Sequence, residues 1–220
     1  MWNNVKDRIY ESVDFNSFLG KVFLNLFLGF IVTGISAYLA ITTGAVYSLG
    51  KLGFILFAIL SFVLVIATGV LRNNPVLAGI AFYLFCAVEG ILIGPVFLIY
   101  TKAAIFKAFI ATGVSFFVMA LLAMSKKIDF RQYSSFLFAG LIALVIASIV
   151  NIFLGSSTLD LVISAITIIV FMGLIAYDLQ TLEEIAYTDG NAYFAALNLY
   201  IDILNIFLAF LRIFGRNEEE

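Results

Sequence analysis

Seven long apolar runs, separated by short polar segments, follow one another along the chain. The runs cover residues 22–41, 53–71, 76–99, 108–124, 135–154, 161–182 and 194–213. A bilayer core about 30 Å thick is crossed by about 20 helical residues, and the runs are close to that length. They also lack the strict alternation of apolar and polar positions found in strands of a membrane β-barrel. The pattern predicts an all-α membrane protein with seven transmembrane helices.

The third run contains two glycines four residues apart, Gly90 and Gly94, with Pro95 directly after them. This small-xxx-small spacing is typical of closely packed membrane helices. Proline has no backbone N–H group, and its ring clashes with the preceding turn of a helix. The third helix is therefore predicted to break or kink at Pro95.

The polar residues outside the runs are concentrated near the two ends of the chain. Residues 1–20 do not resemble a secretory signal, because charged side chains interrupt them. We predict a short polar cytoplasmic segment at 1–20, a transmembrane domain at 21–215 and an acidic tail at 216–220. A cytoplasmic N terminus places more of the 12 Lys and Arg residues on the inner side, as the positive-inside rule favours.

Composition narrows the class of function. Hydrophobic residues make up 64% of the chain and charged residues 12%, against about 45–50% and about 25% in soluble proteins. This excludes a soluble enzyme, and the balance of 12 Lys and Arg against 14 Asp and Glu excludes a nucleic-acid partner. The absence of His and the single Cys86 exclude imidazole catalysis and thiolate clusters. We therefore predict no enzymatic activity and no bound cofactor, and any proton sensing near neutral pH falls to carboxyl groups.

Three acidic residues lie within the apolar runs. Glu89 lies past the middle of the third run, Asp178 near the end of the sixth, and Asp202 near the middle of the seventh. An ionisable side chain at the centre of a bilayer costs roughly 2.5–3.5 kcal/mol on insertion scales, and it marks a functional site by default. The structural alternatives are an interfacial position for Asp178 and a hydrogen bond to a neighbouring helix for Asp202.

The seventh run also carries two amides that share a side of the helix with its aspartate. Asn198, Asp202 and Asn205 are spaced i, i+4 and i+7, which places them along one stripe. The rest of this helix is almost entirely apolar. A helix of this kind is expected inside a bundle, with its polar stripe facing other helices or water.

Several segments of the chain resemble signature sequences of the Bax inhibitor-1 family, also called transmembrane Bax inhibitor motif proteins. Two of these segments, 177–180 and 199–215, contain the two aspartates, and a third, 89–95, contains the glutamate and the glycine pair. Residues 151–154 resemble the end of the fifth helix of that family. The resemblance extends from about residue 21 to residue 215, nearly the whole chain.

This resemblance implies a fold in which six helices pack around a central C-terminal helix, and a pH-sensitive calcium leak through the membrane. In the family, two aspartates on the last two helices form a hydrogen-bonded pair that senses protonation, and Asp178 and Asp202 match that pair. An arginine at the end of the second helix acts as a latch, and Arg72 lies at the matching position. The run of basic residues that some relatives have there is replaced by residues 72–75, Arg-Asn-Asn-Pro.

The chemistry of such a pair suggests how it would work. Two carboxyl groups in a site of low dielectric constant cannot both ionise cheaply, so they lose their protons in two coupled steps. While one proton is shared, the pair joins the sixth and seventh helices. Loss of that proton leaves two like charges, which separate or recruit a cation.

Oxygen ligands suit Ca²⁺ better than softer metals. We therefore expect Asp178 and Asp202 to contact Ca²⁺ transiently. Further oxygens along the ion path are predicted to come from three side chains, those of Glu89, Asn198 and Asn205. The expected partners are the lipid bilayer and calcium ions.

Other functions remain to be weighed against this one. An aspartyl intramembrane protease needs two membrane aspartates, but its second one follows Gly-x-Gly, whereas Asp202 follows residues 199–201, Leu-Tyr-Ile. A retinal protein needs a lysine in its last helix, and the last lysine here is Lys127, which lies well before that helix.

The open alternative, which the resemblance also implies, is a partner that modulates a membrane-bound protease through residues 1–20 and has no transport activity. The Phe- and Ile-rich composition and the short loops favour a bacterial inner membrane.

Overall fold

The computed structural model of the chain describes residues 14–188 and 190–216. Seven long helices account for most of these residues, and this part of the chain contains no strand. The helices are α1 (Phe15–Thr42), α2 (Gly50–Val70), α3 (Pro75–Ile93), α4 (Lys102–Ser125), α5 (Ser134–Leu154), α6 (Ser157–Thr188) and α7 (Ala192–Arg216). Each of them contains one of the predicted apolar runs or most of it, so the prediction of an all-α protein with seven spans is confirmed.

The helices extend beyond the apolar runs where capping groups are present. The carboxyl group of Asp14 accepts a hydrogen bond from the backbone N–H of Asn16, so α1 begins at Phe15, within the segment predicted as 1–20. The side chain of Asn74 caps α3 in the same way, with Pro75 as its first residue. The predictions for residues 1–13 and 217–220 lie outside the described residues.

The break predicted at Pro95 is confirmed. The helix α3 ends at Ile93, a turn follows at Gly94 and Pro95, and a separate helical turn covers Val96–Ile99. The proline has no N–H group to continue the hydrogen-bond ladder, so the long third run is divided in two.

Burial differs sharply among the seven spans. In α2 and α5, 11% of the residues in the most apolar 18-residue stretch are buried, against 50% in α3 and α6 and 56% in α7. Large side chains such as Phe62 on α2 and Phe153 on α5 are exposed, as expected for helices that face lipid. The chain is an integral, multi-pass membrane protein. The high burial of α7 agrees with its predicted interior position, and the ring of six helices around it stays a prediction.

The described residues divide into two compact units. The first unit contains residues 14–98 and 182–200, which are α1, α2, α3, the end of α6 and the beginning of α7. The second unit contains residues 99–181 and 201–216, which are α4, α5, most of α6 and the remainder of α7. Glu89, Arg72 and Asn198 belong to the first unit, and Asp178, Asp202 and Asn205 belong to the second.

In the first unit, α3 packs against both α1 and α2. The approach of α3 to α1 is closest at Gly90, where an added Cβ would overlap the backbone carbonyl of Thr33 and lie 2.7 Å from the Cβ of Ser36. Beside this contact, the fully buried Tyr200 of α7 places its hydroxyl 2.7 Å from the Thr33 hydroxyl. Because the Thr33 hydroxyl donates to backbone carbonyls, the tyrosine is the donor in this hydrogen bond.

In the second unit, α6 supplies most of the apolar core. Phe171, Leu174 and Ile175 of α6 pack with residues of α4, α5 and α7, among them Ile206. The helix α5 comes close at Gly173, where an added Cβ would lie 2.6 Å from a methyl group of Leu137. This packing fixes α6 on several sides and determines where its polar residues lie.

Candidate functional site

The second unit brings together the two aspartates that the sequence singled out. The carboxyl groups of Asp178 on α6 and Asp202 on α7 form a side-chain hydrogen bond with each other. A carboxylate can only accept hydrogen bonds, so a bond between two carboxyl groups requires one of them to carry a proton. The two side chains therefore form a carboxyl pair that links two adjacent helices.

Asp202 is deeply buried, with 5% of its surface exposed. Its Oδ2 atom meets no N–H or O–H donor in the part of the chain that the structure describes. An ionised oxygen left in this state would cost several kcal/mol of desolvation, on the order of the penalty for a buried ion. Protonation of a buried carboxyl group removes most of this cost.

The two amides on α7 have separate surroundings. The Asn205 amide N–H donates 2.8 Å to the backbone carbonyl of Ile201, one turn earlier in the same helix. This leaves the Asn205 carbonyl oxygen available as an acceptor or a cation ligand. Asn198 is half-buried in the first unit. The spacing places both amides on the side of α7 that carries Asp202.

The third acid in the spans, Glu89, lies in α3 within the first unit and is half-buried. The hydroxyl of Ser61 on α2 donates a hydrogen bond of 2.5 Å to its Oε1 atom. The structure thus places a third carboxyl group, with a hydroxyl partner, well inside the membrane-spanning part of the chain.

Arg72, predicted as the latch, lies in the helical turn Leu71–Asn73 directly after α2, and its side chain is exposed. Its backbone carbonyl accepts a hydrogen bond of 2.5 Å from the side-chain amide of Asn191. The carbonyl oxygen of that same amide accepts from the N–H groups of Tyr193 and Phe194 and so caps α7. Asn191 therefore joins the end of α2 to the beginning of α7, while the latching role of Arg72 stays a prediction.

Three partners of the site were missed from the sequence: Ser61, Asn191 and Gln180. The amide of Gln180 lies two residues after Asp178 and binds the segment between α4 and α5. Ser61 and Gln180 are uncharged polar residues within long apolar runs, whereas Asn191 lies in the polar segment between the sixth and seventh runs. These positions do not indicate which distant residue each one contacts.

The described residues contain no group of three or more His, Cys, Asp or Glu side chains that could hold a metal ion. Two carboxyl groups supply fewer oxygens than the roughly 6–8 that Ca²⁺ takes. The two carboxyl groups alone therefore do not complete a coordination sphere for Ca²⁺.

Comparison with known proteins identifies the family. The sequence profile of the family described as inhibitor of apoptosis-promoting Bax1 matches residues 15–219. The chain belongs to the Bax inhibitor-1 family. The resemblance drawn from residues 89–95, 177–180 and 199–215 is confirmed by this match over nearly the whole chain.

Bacterial relatives of the family cover most of the sequence. An uncharacterised protein of Rickettsia prowazekii is 36% identical over 210 residues, which is 90% of this chain and 89% of the relative. The inner membrane protein YbhL of Escherichia coli is 32% identical over 214 residues, 90% of this chain and 91% of the relative. An uncharacterised membrane protein of Streptococcus pyogenes serotype M3 is 36% identical over 168 residues, 73% of each chain. The last two names agree with a membrane protein.

Proposed function

We propose that this member of the Bax inhibitor-1 family is a pH-sensitive cation leak channel of a bacterial inner membrane, with Ca²⁺ as its permeant ion. The single observation that carries the proposal is the hydrogen bond between the carboxyl groups of Asp178 and Asp202. A buried pair of this kind changes its charge with pH in a chain that contains no histidine. The inner membrane location is supported by the relative in Escherichia coli, whose name places it there.

The closed state is the one in which the pair shares a proton. The bridging proton joins α6 to α7 and leaves one net negative charge in the site. When it leaves, two like charges face each other, and at about 4 Å they repel by about 4 kcal/mol at an effective dielectric constant of 20. This repulsion is relieved when the helices separate or when a cation enters between the carboxylates, and both changes favour conduction.

Oxygen atoms elsewhere in the spans extend the ion path. Glu89, oriented by Ser61, offers a carboxylate in the first unit, and Asn198 and Asn205 offer amide oxygens along α7. Hard oxygen ligands favour Ca²⁺ over softer metal ions. Arg72 is assigned the role of a latch that stabilises the closed state, on the strength of the family pattern.

The test is Ca²⁺ flux into dye-loaded liposomes that contain the purified protein, measured between about pH 5 and 8, the range a perturbed carboxyl pair reaches. The wild-type protein should show flux that rises with pH, and Asp178→Asn should lose most of that dependence. Asp160→Asn is the matched control, because it makes the same change on α6 at an exposed ion pair with Arg212.

An unchanged pH profile in a folded Asp178→Asn variant would overturn the channel mechanism. The preferred proposal would then be the alternative function, in which the protein modulates a membrane-bound protease and has no transport activity. That function should survive Asp178→Asn and depend on residues 1–20.

A further inference from the structure

Gln180 makes an unusual set of contacts for a polar residue near the end of an apolar run. Its Oε1 atom accepts a hydrogen bond of 2.7 Å from the backbone N–H of Phe130. Its Nε2 group donates 2.8 Å to the carbonyl of Ile128 and 3.3 Å to the carbonyl of Ala123. One side chain therefore uses both its donors and its acceptor on the backbone at the junction of α4 and α5.

These three backbone groups lie where the hydrogen-bond ladders of two helices stop. Ala123 is in the last turn of α4, and Ile128 and Phe130 follow it before α5 begins at Ser134. Backbone groups at such a place need partners from outside the helix. Gln180 supplies them, so the position of the α4–α5 segment and the position of α6 are tied together.

The hydrogen bonds of Gln180 lie close to the aspartate pair along α6. Gln180 follows Asp178 by two residues, which is about 3 Å along the axis and about 200° around it. The two side chains therefore leave α6 on different sides, Asp178 toward Asp202 and Gln180 toward the α4–α5 segment. The hydrogen bonds of Gln180 fix the rotation of α6 about its axis and its position along that axis. They therefore also fix the position of Asp178 on the other side of the helix.

We propose that Gln180 is a positioning residue, which braces α6 against the α4–α5 segment and thereby sets the pH at which the aspartate pair loses its shared proton. This inference rests on the proposed role of the pair as the proton sensor. Gln180 does not titrate, so its effect on the pair comes through geometry alone. Without the brace α6 gains freedom to rotate, and the hydrogen bond between the two carboxyl groups is weakened.

Charged groups also lie on the α4–α5 segment and on the helices around it. On the α4–α5 segment, Arg131 donates to Asp129 at 3.1 Å, and this hydrogen bond lowers the pKa of the Asp129 carboxyl, which stays ionised near neutral pH. The other charged groups on the surrounding elements are Lys126 and Lys127 of the same segment, Glu183 and Glu184 of α6, Lys102 and Lys107 of α4, Asp160 of α6 with Arg212 of α7, and Arg216 of α7. The helix α5 carries no charged residue.

The test compares Gln180→Met with the control Gln132→Met. Methionine matches glutamine in length but makes none of the three hydrogen bonds, and Gln132 is an exposed glutamine of the same α4–α5 segment. Hydrogen exchange of residues 126–133 in nanodiscs reports whether the segment has been released. Infrared difference spectroscopy follows the protonated carboxyl band against pH, and its loss in Asp178→Asn assigns the band to the pair.

In Gln180→Met we expect faster exchange in the segment and a midpoint of the carboxyl band lower by about half to one pH unit, a roughly threefold to tenfold loss of proton affinity. Gln132→Met should change neither. Faster exchange with an unchanged midpoint would overturn the proposal. If Gln180→Met does not fold, Gln180→Asn replaces it, because an amide shortened by one methylene group cannot reach all three partners.

The infrared measurement needs no transport, which separates this inference from the proposed function. If the wild-type protein shows no pH-dependent Ca²⁺ flux but its carboxyl band still shifts in Gln180→Met, the proposed channel is refuted and the positioning role of Gln180 is supported. If the flux depends on pH but neither its midpoint nor the carboxyl band changes in Gln180→Met, the proposed channel is supported and the positioning role of Gln180 is refuted.

Discussion

The hydroxyl of Ser61 on α2 donates a hydrogen bond of 2.5 Å to the carboxyl group of Glu89 on α3. Both residues lie within spans, where a carboxyl group is costly unless it has a partner or a function. A hydroxyl group orients a carboxylate without neutralising it. The contact therefore holds the Glu89 carboxyl in one direction and leaves it able to interact with a passing cation.

We expect Glu89→Gln to lower the Ca²⁺ flux severalfold at high pH while moving the midpoint of the pH profile very little. The amide keeps the size of the side chain and removes the charge that attracts the cation. Flux in liposomes at fixed calcium concentration measures the change, with the exposed Glu184→Gln on α6 as the control. Equal flux in Glu89→Gln and wild-type protein would remove this residue from the ion path.

The close packing of α3 on α1 at Gly90 leads to a prediction about stability. An alanine methyl group at this position would overlap the carbonyl of Thr33, which belongs to a helical backbone and cannot move aside. Gly90→Ala should destabilise the protein by about 1–3 kcal/mol, the usual cost of overpacking. Denaturant unfolding in detergent, followed by circular dichroism, measures this.

The control is Gly34→Ala on the neighbouring helix α1. No atom lies within 4 Å of a Cβ added at Gly34, so the substitution should gain up to about 1 kcal/mol from helix propensity. Equal stability of the two variants would mean that α3 and α1 are not in contact at Gly90.

Much of the fold could be predicted because each span stands out by itself. An apolar run of about 20 residues is enough to indicate a membrane helix, and Pro95 indicates where the third one stops. The ends of the helices were less predictable. The helix α6 continues to Thr188, past the end of its apolar run at residue 182, because residues such as Leu182, Glu183 and Glu184 favour helix without being continuously apolar.

The candidate site could be predicted in its ionisable members and in the two amides that share a stripe with Asp202 on α7. Asp178 and Asp202 stand out because acidic residues are rare inside apolar runs. Ser61 and Gln180 do not, because uncharged polar residues are common in membrane helices, and Asn191 lies between two helices, where polar residues are ordinary. The partners of all three are distant in the sequence. Gln180 binds a residue 50 positions away, and no local spacing rule predicts such a contact.

Asn191 allows its two roles to be separated by substitution. Asn191→Asp keeps the oxygen that caps α7 and loses the N–H donor to the Arg72 carbonyl, whereas Asn191→Ala loses both. We expect the alanine variant to be less stable by about 1–2 kcal/mol through loss of the cap, with a further cost for the unpaired carbonyl. Unfolding of both variants measures this, and an aspartate variant no more stable than the alanine one would contradict the cap assignment.

Arg72→Ala tests the latch. If the guanidinium stabilises the closed state, its removal should raise the flux at low pH, and a titration midpoint should remain visible because the aspartate pair is intact. We expect this midpoint at a lower pH, because the closed state is the one that holds the shared proton and it has lost a stabilising contact. Liposome flux across the pH range measures both effects. Arg131→Ala, which removes an exposed arginine paired with Asp129, is the control, and identical profiles for the two variants would refute the latch.

The strongest test of the pair is whether its two members act as a unit. Asp178→Asn and Asp202→Asn should each remove most of the pH dependence of Ca²⁺ flux, because an amide still donates a hydrogen bond to a carboxylate but cannot release the shared proton. If both single variants have already lost that proton, the double variant has nothing further to lose. Its profile should match either single variant, so the effects will not add. Liposome flux from about pH 5 to 8 with all three proteins at equal density measures this interaction. Additive effects would mean that the two carboxyl groups titrate independently, and the shared proton could then not be what holds the channel closed.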